Sequence, residues 1–155
     1  MRRRVPGLGA LSLARFASRV REAVRLPGAV NILVSDDREL RKLNRQFRGK
    51  NHPTDVLSFP ANDVNKFAGD LAISVQMAAR NARPLGHSTA DEVKILVLHG
   101  VLHLAGYDHE RDNGRMARKE QQLRRRLGLP LGLIERASRP QKSLFALRRR
   151  SRTSR

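Results

Sequence analysis

Residues His99–His109 read HGVLHLAGYDH and hold three of the five histidines in the chain. The apolar residues before and within this stretch predict a helix that ends at Gly106. His99 and His103 are four residues apart, so a helix places both side chains on the same face. Gly106 can adopt a positive φ and turn the chain back, which brings His109 towards the same point. The stretch therefore predicts a cluster of three imidazoles at the end of a helix.

Three imidazoles with this spacing can bind one metal ion. Catalytic zinc sites have three protein ligands and an open position, where the ion lowers the pKa of a bound water to about 7. Zinc is the expected metal, one ion per chain, although three imidazoles also suit nickel, copper or cobalt. The alternative is that these histidines have only structural roles, as a pair on one helix face often does. His52 and His87 lack ligand spacing and are predicted to be loop residues.

The same histidine spacing occurs in the motif H-E-x-x-H-x-x-G-x-x-H, which binds zinc in one large class of metalloproteases. In those enzymes the glutamate takes a proton from the attacking water. The equivalent residue here is Gly100, which cannot act as a base. Asp108 could substitute for it, although a hydrogen bond to the backbone or to a ligand histidine is an equally good interpretation. A peptidase mechanism is therefore disfavoured.

The composition indicates one domain with a polyanionic partner. The 155 residues include 32 lysines and arginines against 14 acidic residues, a formal net charge of +18. Seven of the basic residues lie in 138–155, and without them the net charge is still +11. Nucleic acid is the first candidate for the partner, and an anionic membrane surface is the second.

The compartment is expected to be the cytoplasm. Cysteine is absent, which excludes disulfides and thiolate metal ligands and fits a reducing environment. No apolar run approaches the roughly 18 residues of a membrane-spanning helix. The N-terminal residues 1–16 are basic and partly apolar, but Arg15 interrupts the apolar run and no clear cleavage site follows.

Hydrophobic periodicity and turn residues predict the element order αβαββααα. The predicted elements are a helix over 10–25, a strand over 30–34, a helix capped by 35–37 and running to about 47, strands over 54–59 and 70–74, a helix over 75–82, a helix from Ser88 or Thr89 to Gly106, and a helix over about 112–127. The second and third strands flank a turn at 61–67 and could pair as a hairpin. The expected fold is α+β, a small mixed sheet surrounded by helices. The domain is expected to span 1–137, irregular over 1–7, with a basic disordered tail at 138–155.

Three blocks of the sequence resemble a known family. HGVLHLAGYDH is similar to the pattern H-G-x-L-H-L-x-G-Y-D-H of the YbeY endoribonucleases. LNRQFRGKNHPTDVLSFP resembles their segment L-N-x-x-[FY]-R-G-K-x-x-P-T-D-V-L-S-F-P, and GDLAIS resembles their strand G-D-I-x-I-S. The blocks occur in the family's order between about Val30 and Leu127.

The resemblance implies a metal-dependent endoribonuclease that is specific for single strands. It implies a role in ribosomal RNA maturation, at the 3′ end of 16S rRNA, and in ribosome quality control. His99, His103 and His109 take the family's metal positions. Arg48 takes the position of an arginine that acts on the RNA, where a guanidinium can bind phosphate oxygens and stabilise developing charge. The implied partners are ribosomal RNA precursors and small-subunit proteins, without a membrane.

Two features depart from the family pattern. Members usually open with a strand before the first helix, where this chain has only MRRRVPG, so one strand of the sheet is expected to be absent or irregular. Members also typically end soon after the last helix, whereas this chain continues to residue 155. The alternative function is a non-catalytic RNA- or ribosome-binding assembly factor with a structural metal.

Overall fold

Helices and strands follow one another in the predicted order. The computed structural model describes residues 3–61, 66–130 and 134. Its elements are α1 (Ala10–Ala23), β1 (Ala29–Ser35), α2 (Asp37–Arg48), β2 (Val56–Pro60), β3 (Phe67–Ser74), α3 (Val75–Leu85), α4 (Thr89–Leu104) and α5 (Arg115–Arg126). The order αβαββααα is confirmed, and the boundaries lie within a few residues of those predicted.

The three strands form a mixed sheet with the order β1-β3-β2. β1 runs parallel to β3, with Ile32 opposite Leu71, and β2 runs antiparallel to β3, with Ser58 opposite Leu71. The expected hairpin of the second and third strands is therefore confirmed. The predicted α+β fold, a small mixed sheet surrounded by helices, is also confirmed.

α4 is the central helix of the fold. It packs against α1, α3 and α5 and against both strands of the hairpin. Eleven of its sixteen residues are buried, so it is enclosed on nearly every side. Ser88 caps its first turn by accepting a hydrogen bond from the N–H of Asp91, as predicted. The helix ends at Leu104, two residues before Gly106.

α2 packs on the opposite face of the sheet from α4. Its Leu40 forms a small apolar cluster with Leu57 of β2 and Ala72 of β3, whereas Leu71 of β3 belongs to the main core around α4. Successive residues of a strand point to opposite faces, so Leu71 and Ala72 contact different helices. β2 is an edge strand, and the C-terminal end of α2 lies beside it.

A buried hydrogen bond between a histidine and a glutamate lies at the start of α4. Glu92 lies in the first turn and is fully buried, and its Oε2 lies 2.5 Å from Nε2 of His87. A carboxylate in the core requires such a partner, because burial of an unpaired charge is strongly destabilising. His87 lies in the short connection between α3 and α4, which agrees with its prediction as a loop residue.

The end of α3 differs from the prediction. The sequence predicts that the helix ends before Pro84, but it continues to Leu85 with Pro84 in its last turn. Proline removes a single N–H donor there, and Gly86 follows in the left-handed region with a φ of 73°. Backbone N–H groups beyond the helix donate to the carbonyls of Ala82 and Arg83, so the end is capped despite the proline.

The residues before α1 pack on the core without forming a strand within the described part of the chain. The N–H of Arg3 donates to the carbonyl of Val34 in β1 at 3.2 Å. Val5 and Leu8 form an isolated bridge, and both side chains are buried. This short segment therefore adds apolar side chains to the core beside β1.

Some predictions fall on residues outside those described. They concern residues 1–2, residues 62–65 of the predicted turn, residues 131–133 and 135–137 at the end of the predicted domain, and the basic tail at 138–155. Phe67, at the end of the predicted turn, already belongs to β3. Among the described residues, no helix combines the length and apolar character needed to cross a membrane.

Gly100 lies where α4 contacts the sheet. A Cβ at this position would lie 2.7 Å from Cδ2 of the buried Leu71 and 3.3 Å from Oγ of Ser58. We predict that Gly100→Ala lowers the free energy of unfolding by about 1–2 kcal/mol, because overpacking outweighs the helix propensity gained by alanine. Denaturant titration measures this change. A variant as stable as the parent protein, or more stable, would contradict the close packing of α4 on β3.

Candidate active site

Three histidine side chains meet at the C-terminal end of α4. One nitrogen from each ring lies within 4.8 Å of the other two. The ring centroids of His99 and His103 are 4.7 Å apart. His109 follows the turn at Gly106, whose φ is 92°, and its centroid lies 5.7 and 5.6 Å from those of the other two rings. His99 is buried and His109 is exposed, so the cluster opens from the core to solvent.

Hydrogen bonds determine the tautomers of two of these rings. Nδ1 of His99 donates to Oε2 of Glu120 at 2.9 Å, and Nδ1 of His103 donates to the carbonyl of Tyr107 at 3.0 Å. Ionised carboxylate and carbonyl oxygens only accept, so when both rings are neutral their protons reside on Nδ1 and both Nε2 atoms keep a lone pair. The two Nε2 atoms are 3.1 Å apart.

Facing lone pairs repel each other unless a cation lies between them. Two nitrogen ligands of a tetrahedral zinc ion are about 3.3 Å apart, given the usual bond length. The observed spacing of 3.1 Å is close to this value. The donor set of the cluster is therefore compatible with a metal site.

The protonation of His103 also suits a metal ligand. Burial lowers the pKa of this side chain, and the neighbouring His99 lowers it further. The hydrogen bond to the Tyr107 carbonyl acts in the opposite direction with a smaller effect. Both main causes favour the neutral imidazole, which is the form that binds a metal.

Glu120 on α5 is a site residue that the sequence patterns did not reveal. Its side chain is 1% exposed. Oε2 accepts from His99, and Oε1 accepts from the N–H of Ile134 at 3.0 Å. Glu120 lies four residues after Met116 and three before Leu123, which places it on the buried face of α5. A carboxylate on an apolar helix face requires a partner inside the protein. The position of Glu120 in the apolar pattern of α5 was therefore the sequence signal that could have revealed it.

Arg48 is the last residue of α2 and lines the same groove as the histidines. Gly49 ends the helix in the left-handed region, with a φ of 67°. The buried Asn44 donates from Nδ2 to the carbonyl of His52 at 3.0 Å, which holds the following loop against α2. The Arg48 side chain is exposed, and within the described residues it forms no hydrogen bond or ion pair. Its guanidinium is therefore available to a ligand.

The groove has a volume of about 550 Å³ and contains carboxylates as well as the basic groups. Asp108 lines it, and its Oδ1 accepts from the N–H of Glu110 at 3.2 Å. This backbone hydrogen bond is one of the two roles expected for Asp108. Asp55 also lines the groove, and it accepts from the N–H of Val56 at 2.8 Å.

Packing explains why the glutamate of the metalloprotease motif is absent. The carbonyl of Gly100 accepts a hydrogen bond from Oγ of Ser58 at 3.3 Å. Because Leu71 occupies the space that a Cβ would need, any side chain at position 100 collides with β3. The contact between α4 and the sheet therefore disfavours any residue larger than glycine at this position.

The fold and the groove define an α+β protein with a three-histidine centre that is compatible with a metal ion. Comparison with known sequences gives its family. The chain belongs to the YbeY family of endoribonucleases, since the family model described as "Endoribonuclease YbeY" matches residues 10–128. The resemblance seen in the sequence blocks is thus confirmed.

Individual relatives cover most of the chain. Endoribonuclease YbeY of Koribacter versatilis is 49% identical over 150 residues, which are 97% of this chain and 98% of the relative. The protein of the same name from Solibacter usitatus is 51% identical over 125 residues, or 81% and 84% of the two chains. The solution structure of TM1509 from Thermotoga maritima is similar, with a TM-score of 0.52 and 33% identity over 75% of this chain and 82% of that one.

We predict that Glu120→Gln weakens zinc binding by about tenfold or more. Glutamine has one acceptor oxygen where glutamate has two, so either the His99 ring or the Ile134 N–H loses its acceptor. Competition with a chromogenic chelator measures the dissociation constant. Glu22→Gln, which changes an exposed carboxylate on α1, is the matched control. Equal zinc affinity of the two variants would show that Glu120 does not orient His99 as a ligand.

Proposed function

We propose that this chain is a metal-dependent endoribonuclease specific for single-stranded RNA. One observation carries the proposal: the facing Nε2 atoms of His99 and His103 share a groove with the exposed guanidinium of Arg48. A metal ligand set beside a phosphate-binding cation suits the hydrolysis of a phosphodiester bond. The relatives named endoribonuclease support RNA as the substrate.

We propose His99, His103 and His109 as the ligands of one divalent ion, zinc in the first instance. When bound, such an ion supplies a Lewis acid and lowers the pKa of a coordinated water to about 7. The protein's part is to orient the ligands. Glu120 holds the His99 ring so that Nε2 is directed into the cluster, and the Tyr107 carbonyl does the same for His103.

Arg48 is the catalytic residue that we propose for contact with the RNA. Its planar guanidinium can donate two parallel hydrogen bonds to phosphate oxygens, and it can stabilise the negative charge that develops on them. Arginine keeps its charge throughout the physiological pH range. The capped end of α2 fixes the position of the backbone, and the exposed side chain is free to meet a phosphate in the groove.

The cellular substrates that we propose are precursors of ribosomal RNA, cleaved at the 3′ end of 16S rRNA in the cytoplasm. Small-subunit proteins would be further partners, and ribosome quality control a further role. The net charge of +18 favours association with RNA. The resemblance of three sequence blocks to the YbeY family supports the assignment to ribosomal RNA.

The alternative is a non-catalytic RNA- or ribosome-binding factor with a structural metal. Structural zinc sites are normally closed by four protein ligands. The cluster found among the described residues offers three, and His109 is exposed. This open arrangement favours catalysis. A peptidase is disfavoured because position 100 has no room for the glutamate that would act as its base.

We predict that His103→Ala loses metal binding and RNA cleavage together, because two imidazoles bind a divalent ion much more weakly than three. Metal content is measured by mass spectrometry. Cleavage is measured with a single-stranded RNA that spans the 3′ end of 16S rRNA. His52→Ala, which removes an exposed loop histidine, should retain both properties. Cleavage at the parent rate by metal-free His103→Ala would argue against metal dependence. If His103→Ala lost the metal and the parent protein itself did not cleave RNA, the result would favour the binding factor.

Arg48→Ala is expected to lower kcat by about 100-fold, as for the loss of one group that stabilises transition-state charge. Metal content and melting temperature should stay at parent values, because Arg48 is exposed and forms no hydrogen bond or ion pair within the described residues. Arg15→Ala, an exposed arginine on α1, is the matched control. Arg48→Lys should recover only part of the rate, since an ammonium lacks the paired donors of the guanidinium. A kcat unchanged in Arg48→Ala would exclude the proposed role.

A further inference from the structure

Phe47, the residue before Arg48, is exposed where the helical pattern predicts burial. Leu40, Leu43 and Phe47 share one face of α2, and Leu40 is fully buried. The Phe47 side chain is instead 59% exposed, and it is the one aromatic residue among the large exposed hydrophobics of the described chain. Single exposed apolar residues are common on proteins, so exposure alone assigns no role. The surroundings of the Phe47 ring indicate a role.

The Phe47 ring is held from one side by a second ring. It contacts Phe59 of β2 edge-to-face, with the centroids 5.2 Å apart and the ring planes at 63°. Phe59 in turn packs against the buried cluster of Leu40, Leu57 and Ala72. The orientation of Phe47 is therefore restricted while much of its surface stays open. Such preorganisation reduces the entropy lost when a further ring stacks on it.

Exposed cations surround Phe47 in the chain. Arg45 and Arg48 lie with it in the last turn of α2, and Lys50 follows in the loop. The acidic residues in this helix lie at its other end, in the first turn. Cations that follow a phosphate backbone, combined with aromatic rings on which bases stack, are the usual means of binding single strands. The charge of this helix end is therefore complementary to an unpaired nucleotide.

We propose that Phe47 stacks on an unpaired base of the RNA, next to the phosphate bound by Arg48, and so contributes to selection of single strands. This inference rests on the proposed endoribonuclease function and adds a substrate contact to it. In a duplex each base is already stacked on its neighbours, and its face is not accessible to a protein ring. Phe47 would thus contribute to the choice of RNA that binds and would take no part in bond cleavage.

The test uses the full-length, zinc-loaded protein and a single-stranded RNA in which one base at a time is replaced by 2-aminopurine or by an abasic site. Binding is followed by stopped-flow fluorescence before cleavage. The parent protein should quench 2-aminopurine at one position and bind about tenfold more weakly when that base is missing. Phe47→Leu should bind the intact strand about tenfold more weakly, lose the quenching and become insensitive to the missing base. Phe47→Tyr and Phe47→Trp should restore all three properties.

Leu11→Ala is the matched control, because Leu11 is an apolar residue of α1 with 64% exposure. Its RNA affinity should equal that of the parent, and melting temperatures verify that every variant is folded. Equal affinity of Phe47→Leu and the parent would overturn the proposal, as would an undiminished abasic penalty in Phe47→Leu. Cleavage is read afterwards in the same samples. A parent protein that binds RNA without cleaving it would refute the endoribonuclease function and leave the stacking result standing, whereas no RNA binding at all would overturn both.

Discussion

The hydrogen bond from Nδ1 of His99 to Oε2 of Glu120 connects the packing of the core with the chemistry of the site. α4 is enclosed on nearly every side, so an imidazole near its end requires a partner within the protein. α5 provides that partner, and the second carboxylate oxygen binds the backbone of Ile134. One buried side chain thus connects α5 to α4 and to the backbone N–H of Ile134. It also leaves the other ring nitrogen of His99 free to face the groove.

The site is assembled from elements on both faces of the sheet. α2 and α4 are separated by the strands, and their C-terminal ends meet in one groove beside β2, an edge strand. Most of each helix is used for packing, and the candidate site residues lie in the last two turns or just beyond them. Rigid elements therefore fix the backbone of Arg48, His99 and His103, while the side chains of Arg48 and His109 are exposed. The aromatic pair joins Phe47, which precedes Arg48 on α2, to Phe59 of β2.

Local signals made much of the fold predictable. Capping by Ser88, apolar periodicity and turn glycines fix the order of elements, and the histidine cluster depends only on one helix and the turn after it. Long-range packing was not predictable to the same degree. The pairing of Glu120 with α4 depends on which face α5 presents, and the place of Arg48 beside the histidines depends on the strand order. The exposure of Phe47 depends on where the sheet ends. Helical spacing predicts which residues share a face of α2, but it does not predict how far the sheet covers that face. α3 continues through Pro84, where the sequence predicts its end, because backbone N–H groups beyond the helix still donate to the carbonyls of its last turn.

The contact at Gly100 also affects how this chain can evolve. Peptidases with the same histidine spacing have a glutamate at that position. A chain that acquires it first must place the new side chain against Leu71 and lose stability. A chain that first reduces Leu71 leaves a cavity under α4, which is also unfavourable. We expect the two changes to be tolerated better together than singly, which would make the positions epistatic. Helix packing, rather than metal binding, would then be the barrier between two chemistries that share a ligand spacing.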